Sequence, residues 1–212
     1  MSITVAINSV PRPPEAVLAG FREAPTSIIS DNLARLPGCV GLRPFHRSGR
    51  LVGPAFTVRT RPGDNLAIHQ ALALVAPGDV IVVDGGGDET RALVGEIMKE
   101  IAQHAGAAGF VIDGAIRDVG AFAADDFPCF ARAAIHRGPY KNGPGAINVP
   151  VSVGGTVIAP GDIVVGDEDG VVSFGQGEAA SLLEVVRAQM AREEETIRSI
   201  REGRYQGSYG KQ

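Results

Sequence analysis

Apolar residues in the first part of the chain follow helical and strand periods in turn. PPEAVLAGFREA (13–24) and TSIISDNLARL (26–36) have apolar residues at helical spacing behind prolines and a Thr-Ser start, which predicts two short opening helices. LVGPAFTVRT (51–60) alternates and is rich in β-branched residues, so it is predicted to be a strand. NLAIHQALALVA (65–76) has the helical period. These segments indicate a fold that mixes helices with strands.

A second pair of elements follows the same order. PGDVIVVDGGG (77–87) is predicted to be a turn and a buried strand that stops at the glycines. IMKEIAQHAG (97–106) is predicted to be a helix with a glycine C-cap, and AGFVIDGAIRD (108–118) a buried strand that ends in polar residues. The apolar face of that helix would consist of Ile97, Met98, Ile101 and Ala105.

The second half of the chain has a different pattern. From about residue 127, short apolar runs are broken by Gly and Pro, which predicts a β-rich region with antiparallel or mixed strands. Residues 178–202 then form a long, charged, amphipathic helix. The sequence therefore predicts an α/β fold in one domain over residues 1–212.

Composition and charge exclude several classes of protein. A chain of 212 residues that is 44% hydrophobic can bury a sizeable core. Its 20 Lys and Arg residues are scattered and its net charge is -4, so we expect no nucleic-acid partner. No stretch approaches the ~20 apolar residues of a membrane span, and no signal peptide is recognisable. Cys39 and Cys129 form no metal-binding spacing, so we expect buried thiols and a reducing, cytoplasmic location.

Common catalytic motifs are missing from the sequence. DGGGD resembles a phosphate loop only loosely, and neither GxGxxG nor GxxxxGK[ST] occurs, which argues against nucleotide binding. No GxSxG supports a serine hydrolase. The histidines stand alone, so we expect surface or core positions without a catalytic role for His46, His69, His104 and His136.

Two predicted strands end in polar residues, DGGGDET and DGAIRD. Such residues face the ligand crevice in α/β proteins, because the loops there are free from packing. Arg117 and Asp118 close the second of these strands. They are candidates for a binding site, and a surface ion pair is the alternative interpretation.

A glycine upstream supports the binding-site interpretation. Because a glycine inside a helix costs about 1 kcal/mol, Gly95 indicates a helix start, or else a place where another element packs closely. Unpaired amides at a helix start form an anion site, here from Gly95, Glu96, Ile97 and Met98. Together with Arg117 and the carboxylates of Glu96 and Asp118, these amides suit an acidic small molecule and a hard divalent cation.

Five segments together resemble the RraA-like family, from about residue 25 to 175. They are GPAFTVRTRPGDN, RALVGEIMKEIA, GFVIDGAIRD, FPCFARAAIHRGPYKNGPGAINVPVSVGG and APGDIVVGDEDGVV. The most specific feature is an acidic residue, twenty intervening residues and then Arg-Asp, which here are Glu96, Arg117 and Asp118. The motif is intact.

The resemblance implies a swivelling-type β/β/α three-layer domain that assembles as a homotrimer or as a hexamer of two trimers. It implies that the backbone of Gly95 to Met98 and the guanidinium of Arg117 bind the substrate, while Asp118 binds Mg2+ or Mn2+. Glu96 would act on metal-bound water without binding the metal itself. A glutamate of a neighbouring chain would complete the site, and Glu193-Glu194-Glu195 lies in the corresponding region unless it is simply a solvated charged face.

The implied activity is that of a lyase acting on small 2-oxo acids. It would cleave 4-hydroxy-4-methyl-2-oxoglutarate or 4-carboxy-4-hydroxy-2-oxoadipate to pyruvate and a second 2-oxo acid, and would decarboxylate oxaloacetate. Both reactions pass through the enolate of pyruvate, which a cation on Asp118 and the charge of Arg117 would stabilise. Because some family members inhibit an RNA-degrading endonuclease, a regulatory binding protein is the alternative. A related lyase or hydratase for another 2-oxo acid is a third possibility.

Overall fold

The computed structural model describes residues 3–5, 10 and 12–207. Its helices are α1 (Glu15–Phe21), α2 (Thr26–Asp31), α3 (Leu66–Leu72), α4 (Glu96–His104), α5 (Val119–Ala123) and α6 (Ala179–Arg201). Its longer strands are β3 (Leu51–Thr60), β4 (Val80–Val94), β5 (Gly109–Ile116), β6 (Cys129–Ala134), β10 (Ile163–Asp167) and β11 (Gly170–Phe174). The short strands are β1 (Ile3–Val5), β2 (Arg43–Pro44), β7 (Gly145–Ile147), β8 (Val151–Val153) and β9 (Thr156–Ile158).

The strands form one large sheet and a separate hairpin. The main path runs β1-β7-β3-β4-β5-β6-β2, and the central pairs β3–β4, β4–β5 and β5–β6 are parallel. Strand β3 also pairs antiparallel with β10, which pairs with β11, so β3 belongs to two layers. The hairpin β8–β9 stands apart. Parallel strands joined by α3, α4 and α5 place their carboxyl ends at one edge.

Alternating side chains on the central strands explain why both faces of the sheet are covered. In β4, Ile81 and Val83 face a core shared with α3, α4 and α5, whereas Val80 and Val82 face the layer of β8 to β11. Successive side chains of a strand point to opposite faces, so a strand buried on both sides is continuously apolar. A third apolar cluster joins α1, α2 and α6 to β10 and β11. This is the expected three-layer β/β/α fold with N-terminal helices and a long C-terminal helix.

The prediction that β4 stops at its glycines was wrong. The strand continues to Val94, with register shifts against β5 after Asp84, Asp88 and Ala92. Gly86 and Gly87 have φ of 68° and 69°, which glycine adopts without strain, so the chain bulges and then resumes pairing. The extension places Val94 opposite Ile116 and so brings the end of β4 to the end of β5.

The predicted apolar face of α4 was also only partly correct. Met98 is buried, but Ile97 and Ile101 are 73% and 43% exposed in the single chain. Lys99 is buried instead, and its ammonium lies 2.6 Å from the Asp125 carboxylate. A lysine is buried when a carboxylate is placed to pair with it, and apolar periodicity alone does not reveal such a partner.

Two expectations about individual residues can be compared with the structure. Cys39 and Cys129 are both buried and unpaired with each other, as expected, and burial raises the pKa of the Cys39 thiol to about 12. Within the described residues, no helix has the length and apolar character needed to cross a bilayer.

Candidate active site

The predicted site residues meet where β4 and β5 end. The amide of Arg117 donates to the carbonyl of Val94 at 3.0 Å, which extends the pairing of the two strands by one residue. Gly95 therefore lies directly beside Arg117 and Asp118. Neighbouring parallel strands end at the same edge of a sheet, and this is where α/β folds place their ligands.

Asp118 has an unusual backbone conformation. Its φ and ψ are 56° and 38°, the left-handed region, and it immediately precedes α5. This region costs a residue with a side chain on the order of 1 kcal/mol, although Asp and Asn tolerate it best. The Asp118 side chain is 43% exposed, and its Oδ2 accepts the Glu96 amide at 3.1 Å and lies 3.7 Å from Nε of Arg117. The strained turn thus presents a carboxylate at the edge of the sheet.

Gly95 allows this arrangement because it has no side chain. A Cβ atom there would lie 2.5 Å from Oδ2 of Asp118, closer than real contacts allow, and 3.0 Å from Cγ of Arg117, which is a tight contact. The backbone of Gly95 is extended, with φ of -151°, so space and not conformation requires the glycine. Both sequence-based interpretations therefore apply, since Gly95 precedes the helix start and also permits a close approach.

Helix α4 begins at Glu96, as the sequence predicts. The expectation that all four amides from Gly95 to Met98 point outward needs correction, because the Glu96 amide is already bonded to Asp118. The amides of Ile97 and Met98 belong to the first turn, whose N–H groups have no partner inside the helix. These two amides and the positive end of the helix dipole remain for an anion.

A cavity of about 160 Å3 opens beside this helix start. Its lining includes five of the six predicted site residues, namely Gly95, Ile97, Met98, Arg117 and Asp118. The sixth, Glu96, does not line the cavity, and its side chain is exposed at the start of the helix. Arg117 and Asp118 also border a wider depression of about 380 Å3 with His136. Both residues can therefore contact a molecule that bridges the two spaces.

Three polar residues of the cavity were missed by sequence reasoning: Asn65, His69 and Lys141. Asn65 is buried, and its Nδ2 donates to the carbonyl of Leu93 at 3.0 Å. Its Oδ1 has no hydrogen-bond partner among the described residues. Burial and then the charge of Lys141 lower the pKa of His69, so its imidazole is neutral at pH 7. The available signal was RPGDN, a third polar segment that follows a predicted strand.

The family of the chain can be stated from a match over most of its length. A family model described as RraA-like, Aldolase/RraA, matches residues 26–173. The chain belongs to the RraA-like family. The resemblance seen in the sequence is thereby confirmed.

Three other proteins are similar to this RraA-like chain over most of their lengths. A protein of Halalkalibacterium halodurans named "Putative 4-hydroxy-4-methyl-2-oxoglutarate aldolase" is 44% identical, over 85% of this chain and 86% of its own length. An uncharacterized protein from Pseudomonas syringae pv. tomato has a crystal structure with a TM-score of 0.82, at 31% identity over 92% of this chain and 96% of that one. Streptomyces coelicolor RraAS2, an unusual member of the RNase ES inhibitor RraA protein family, has a TM-score of 0.81 at 26% identity, over 88% and 98% of the two chains.

The side chains around the cavity of this RraA-like chain can be compared with the ligands that a divalent cation needs. Within the described ranges, no three His, Cys, Asp or Glu residues come together as a metal-binding group. Mg2+, however, binds through one or two carboxylates and keeps several waters. Both contacts described for Asp118 fall on Oδ2, so Oδ1 is the oxygen available to a cation. A site with a single carboxylate at the edge of an open cavity suits such a partly hydrated ion.

The run Glu193-Glu194-Glu195 lies on α6 and does not line either space of the same chain. Within the described part of the chain, Glu193 contacts Gln189 and Glu195 pairs with Arg198. The contribution of a glutamate from a neighbouring chain stays a prediction.

Proposed function

We propose that this protein is a divalent-metal-dependent carbon–carbon lyase that releases pyruvate from small 2-oxo diacids. Its substrates would be 4-hydroxy-4-methyl-2-oxoglutarate or 4-carboxy-4-hydroxy-2-oxoadipate, with oxaloacetate as a substrate for decarboxylation. The observation that carries this proposal is the meeting of Arg117, Asp118 and the first turn of α4 around one cavity. The 44% identity to a protein named as an aldolase supports the same chemistry.

The cation would be held by Asp118, with Mg2+ and Mn2+ as the candidates. When bound, it supplies a Lewis acid for the 2-oxo group of the substrate. The fixed backbone of Asp118 contributes to this, because a carboxylate that is already oriented loses little freedom when it binds an ion. The hydrogen bond from the Glu96 amide holds that orientation.

The carboxylate beside the 2-oxo group would bind at the start of α4. The amides of Ile97 and Met98 can donate to its oxygens, and the helix dipole adds a favourable potential. Arg117 lies next to this position, so its guanidinium would donate to the 2-oxo oxygen as negative charge develops there in the enolate. Preorganised donors of this kind lower a barrier by about 3 kcal/mol each.

The second carboxylate of a diacid requires another cation, which Lys141 provides. Lys141 lines the same cavity as Arg117, and its charge already affects His69. Because His69 is neutral at pH 7, Lys141 is the positive group at that end of the cavity. Asn65 lines the same cavity, and its Nδ2 is held by the carbonyl of Leu93.

Aldol cleavage needs a base that decarboxylation does not need. When the C3–C4 bond breaks, the C4 hydroxyl loses its proton and becomes a carbonyl, and the bonding electrons pass to the enolate. Glu96 is our candidate to accept that proton through a bridging water, because its carboxylate is exposed beside the cavity. Loss of CO2 from oxaloacetate leaves the same enolate with no hydroxyl to deprotonate.

We propose the same assembly that the resemblance implies, a homotrimer or a hexamer. Ile97 and Ile101 are exposed apolar residues on the helix that borders the cavity, which supports an interface at this place. Light scattering of the purified protein distinguishes three chains from six.

The second candidate function is regulation of an RNA-degrading endonuclease. It is favoured by the likeness to RraAS2, which belongs to a family of ribonuclease inhibitors. Tight binding to a ribonuclease without pyruvate release would support the regulator and contradict the lyase.

A coupled assay tests the lyase directly. Lactate dehydrogenase and NADH report pyruvate release from a panel of 2-oxo diacids, with Mg2+, with Mn2+, and after exhaustive chelation by EDTA. We expect turnover that EDTA stops and either ion restores. Activity that survives complete removal of metal would rule out this mechanism.

A further inference from the structure

A fully buried carboxylate lies behind the cavity without lining it. Asp64 has no exposed surface, and it is not part of the cavity lining. Its Oδ1 accepts the amide of Leu66 at 3.0 Å. Its Oδ2 accepts the amides of Asn142 and Gly143 at 2.8 Å and 3.0 Å, and Nη2 of Arg61 lies 3.4 Å away. One side chain therefore accepts hydrogen bonds from two distant segments of the chain.

These contacts join the segment before α3 to the loop between β6 and β7. Backbone bonds reinforce the junction, since Tyr140 donates to Gly63 at 2.8 Å and Asn65 donates to Tyr140 at 3.0 Å. Burial alone would raise the pKa of Asp64, but the three amides and Arg61 outweigh it and lower the pKa. The carboxylate is therefore charged at neutral pH, and it binds the loop through charge-assisted hydrogen bonds.

Each segment carries a cavity residue next to the contact with Asp64. Asn65 follows Asp64 directly, and Lys141 precedes Asn142, whose amide Asp64 accepts. Asn65 and Lys141 both line the cavity with Arg117 and Asp118. The location of the Lys141 backbone relative to Asn65 is thus fixed by this carboxylate together with the backbone bonds of Tyr140.

We propose that Asp64 is a positioning residue that places Lys141, and with it the charge for the second carboxylate of the substrate. The inference rests on the proposed function for the identity of that substrate. A lysine side chain has four rotatable bonds, so the position of its backbone decides which volume its ammonium can sample. Anchoring the amides of Asn142 and Gly143 keeps that volume beside the cavity.

Four proteins test the proposal: wild type, Asp64→Asn, Lys141→Ala and the double variant. Asn has the shape of Asp, but it lacks the charge and presents an amide group to at least one backbone N–H. With saturating Mg2+ and a 2-oxo diacid, we expect Asp64→Asn to raise KM by about 10-fold, the scale for residues that orient a binding group, with kcat little changed. Lys141→Ala should raise KM at least as much. In the double variant, Asp64→Asn should add nothing to Lys141→Ala, because its effect passes through the lysine.

A second readout does not depend on turnover. The charge of Lys141 lowers the pKa of His69, so NMR titration of the His69 ring reports where the ammonium lies. The other charged groups of the cavity, Arg117 and Asp118, are the same in all four proteins. Lys141→Ala should raise the pKa of His69, and Asp64→Asn should raise it in the same direction. If the wild type releases no pyruvate, the proposed function fails, and this titration still tests the positioning.

Three results would overturn the inference. The first is an unchanged KM in Asp64→Asn with an unchanged His69 pKa. The second is an effect of Asp64→Asn on KM that multiplies fully with that of Lys141→Ala. The third is a lower thermal stability as the sole change. If Asp64→Asn does not fold, Asp64→Glu takes its place, because it keeps the charge and displaces both oxygens, and the same outcomes decide.

Discussion

The backbone amide of Glu96 donates a hydrogen bond to Oδ2 of Asp118 at 3.1 Å, and this bond joins the start of α4 to the start of α5. The twenty residues between Glu96 and Arg117 are one helix followed by one strand. The helix leaves the edge of the sheet and the strand returns to it, so both ends of the motif meet at the same place. The spacing of the acidic residue and the Arg-Asp pair is therefore a consequence of chain geometry.

Gly95→Ala should abolish or strongly reduce activity while the protein remains folded. The new methyl group would lie 2.5 Å from Oδ2 of Asp118 and 3.0 Å from Cγ of Arg117, so both side chains must move. A displacement of about 1 Å in a catalytic group can cost about 100-fold in rate. Pyruvate release, compared with the circular dichroism spectrum, measures the effect.

The matched control for this substitution is Gly177→Ala. A Cβ at Gly177 meets nothing within 4 Å, and the residue lies on the turn before α6, far from the cavity along the chain. We expect wild-type activity in this variant. Equal activity in Gly95→Ala would show that close packing at the helix start is not required for catalysis.

Glu96→Gln should harm aldol cleavage more than oxaloacetate decarboxylation. The substitution removes a proton acceptor but keeps the size of the side chain and the backbone amide that binds Asp118. General base catalysis contributes about 100-fold or more, so we expect a loss of that size in kcat for the 4-hydroxy substrates. Decarboxylation should change little, and the ratio of the two rates is the measurement. A parallel loss in both reactions would remove Glu96 from the role of base.

Lys99→Met should lower the free energy of unfolding by about 1–3 kcal/mol, because it leaves Asp125 without its ammonium partner. Glu100→Gln is the control, since Glu100 pairs with the same lysine at 3.1 Å but is largely exposed. Surface pairs contribute about 0–1 kcal/mol, so the control should be close to wild type. Urea unfolding measures both, and equal destabilisation would contradict the importance of the buried pair.

The loss of folding stability at acid pH should depend on Asp64. Its pKa in the folded protein lies below the ordinary value of 3.8. The charged form is therefore favoured by folding, and its stabilisation is present above pH 3.8 and is lost as the pH falls through the lower folded pKa. Unfolding temperatures from pH 7 to pH 2 should fall more steeply below pH 4 in wild type than in Asp64→Asn. Identical slopes would mean that the pKa of Asp64 is the same in the folded and the unfolded protein.

Much of the fold follows from periodicity. Strand β3 has the predicted bounds, 51–60, because alternation and β-branched residues coincide there with turn residues at both ends. The continuation of β4 through Gly85 to Gly87 was not predicted, because a glycine run ends most strands and here produces bulges instead. The burial of Lys99 depends on a partner 26 residues away, which no local pattern reveals.

The sequence predicted only those site residues that a single helix and the strand after it bring together. Glu96, Arg117 and Asp118 belong to that unit. Asn65 and Lys141 reach the same cavity from the ends of other strands, and the buried side chain of Asp64 helps to link their two segments. Such a junction depends on tertiary contacts between loops, and loops carry no hydrophobic period that would disclose it.

The central claim is that Asp118 binds the cation required for pyruvate release. Asp118→Asn tests it most directly, because Asn also tolerates the left-handed backbone and keeps the shape of the side chain while removing its charge. The Mn2+ affinity, measured by electron paramagnetic resonance, should fall by about 100-fold or more relative to wild type. The rate of pyruvate release from oxaloacetate should fall by a similar factor. Wild-type Mn2+ affinity and turnover in Asp118→Asn would contradict the account.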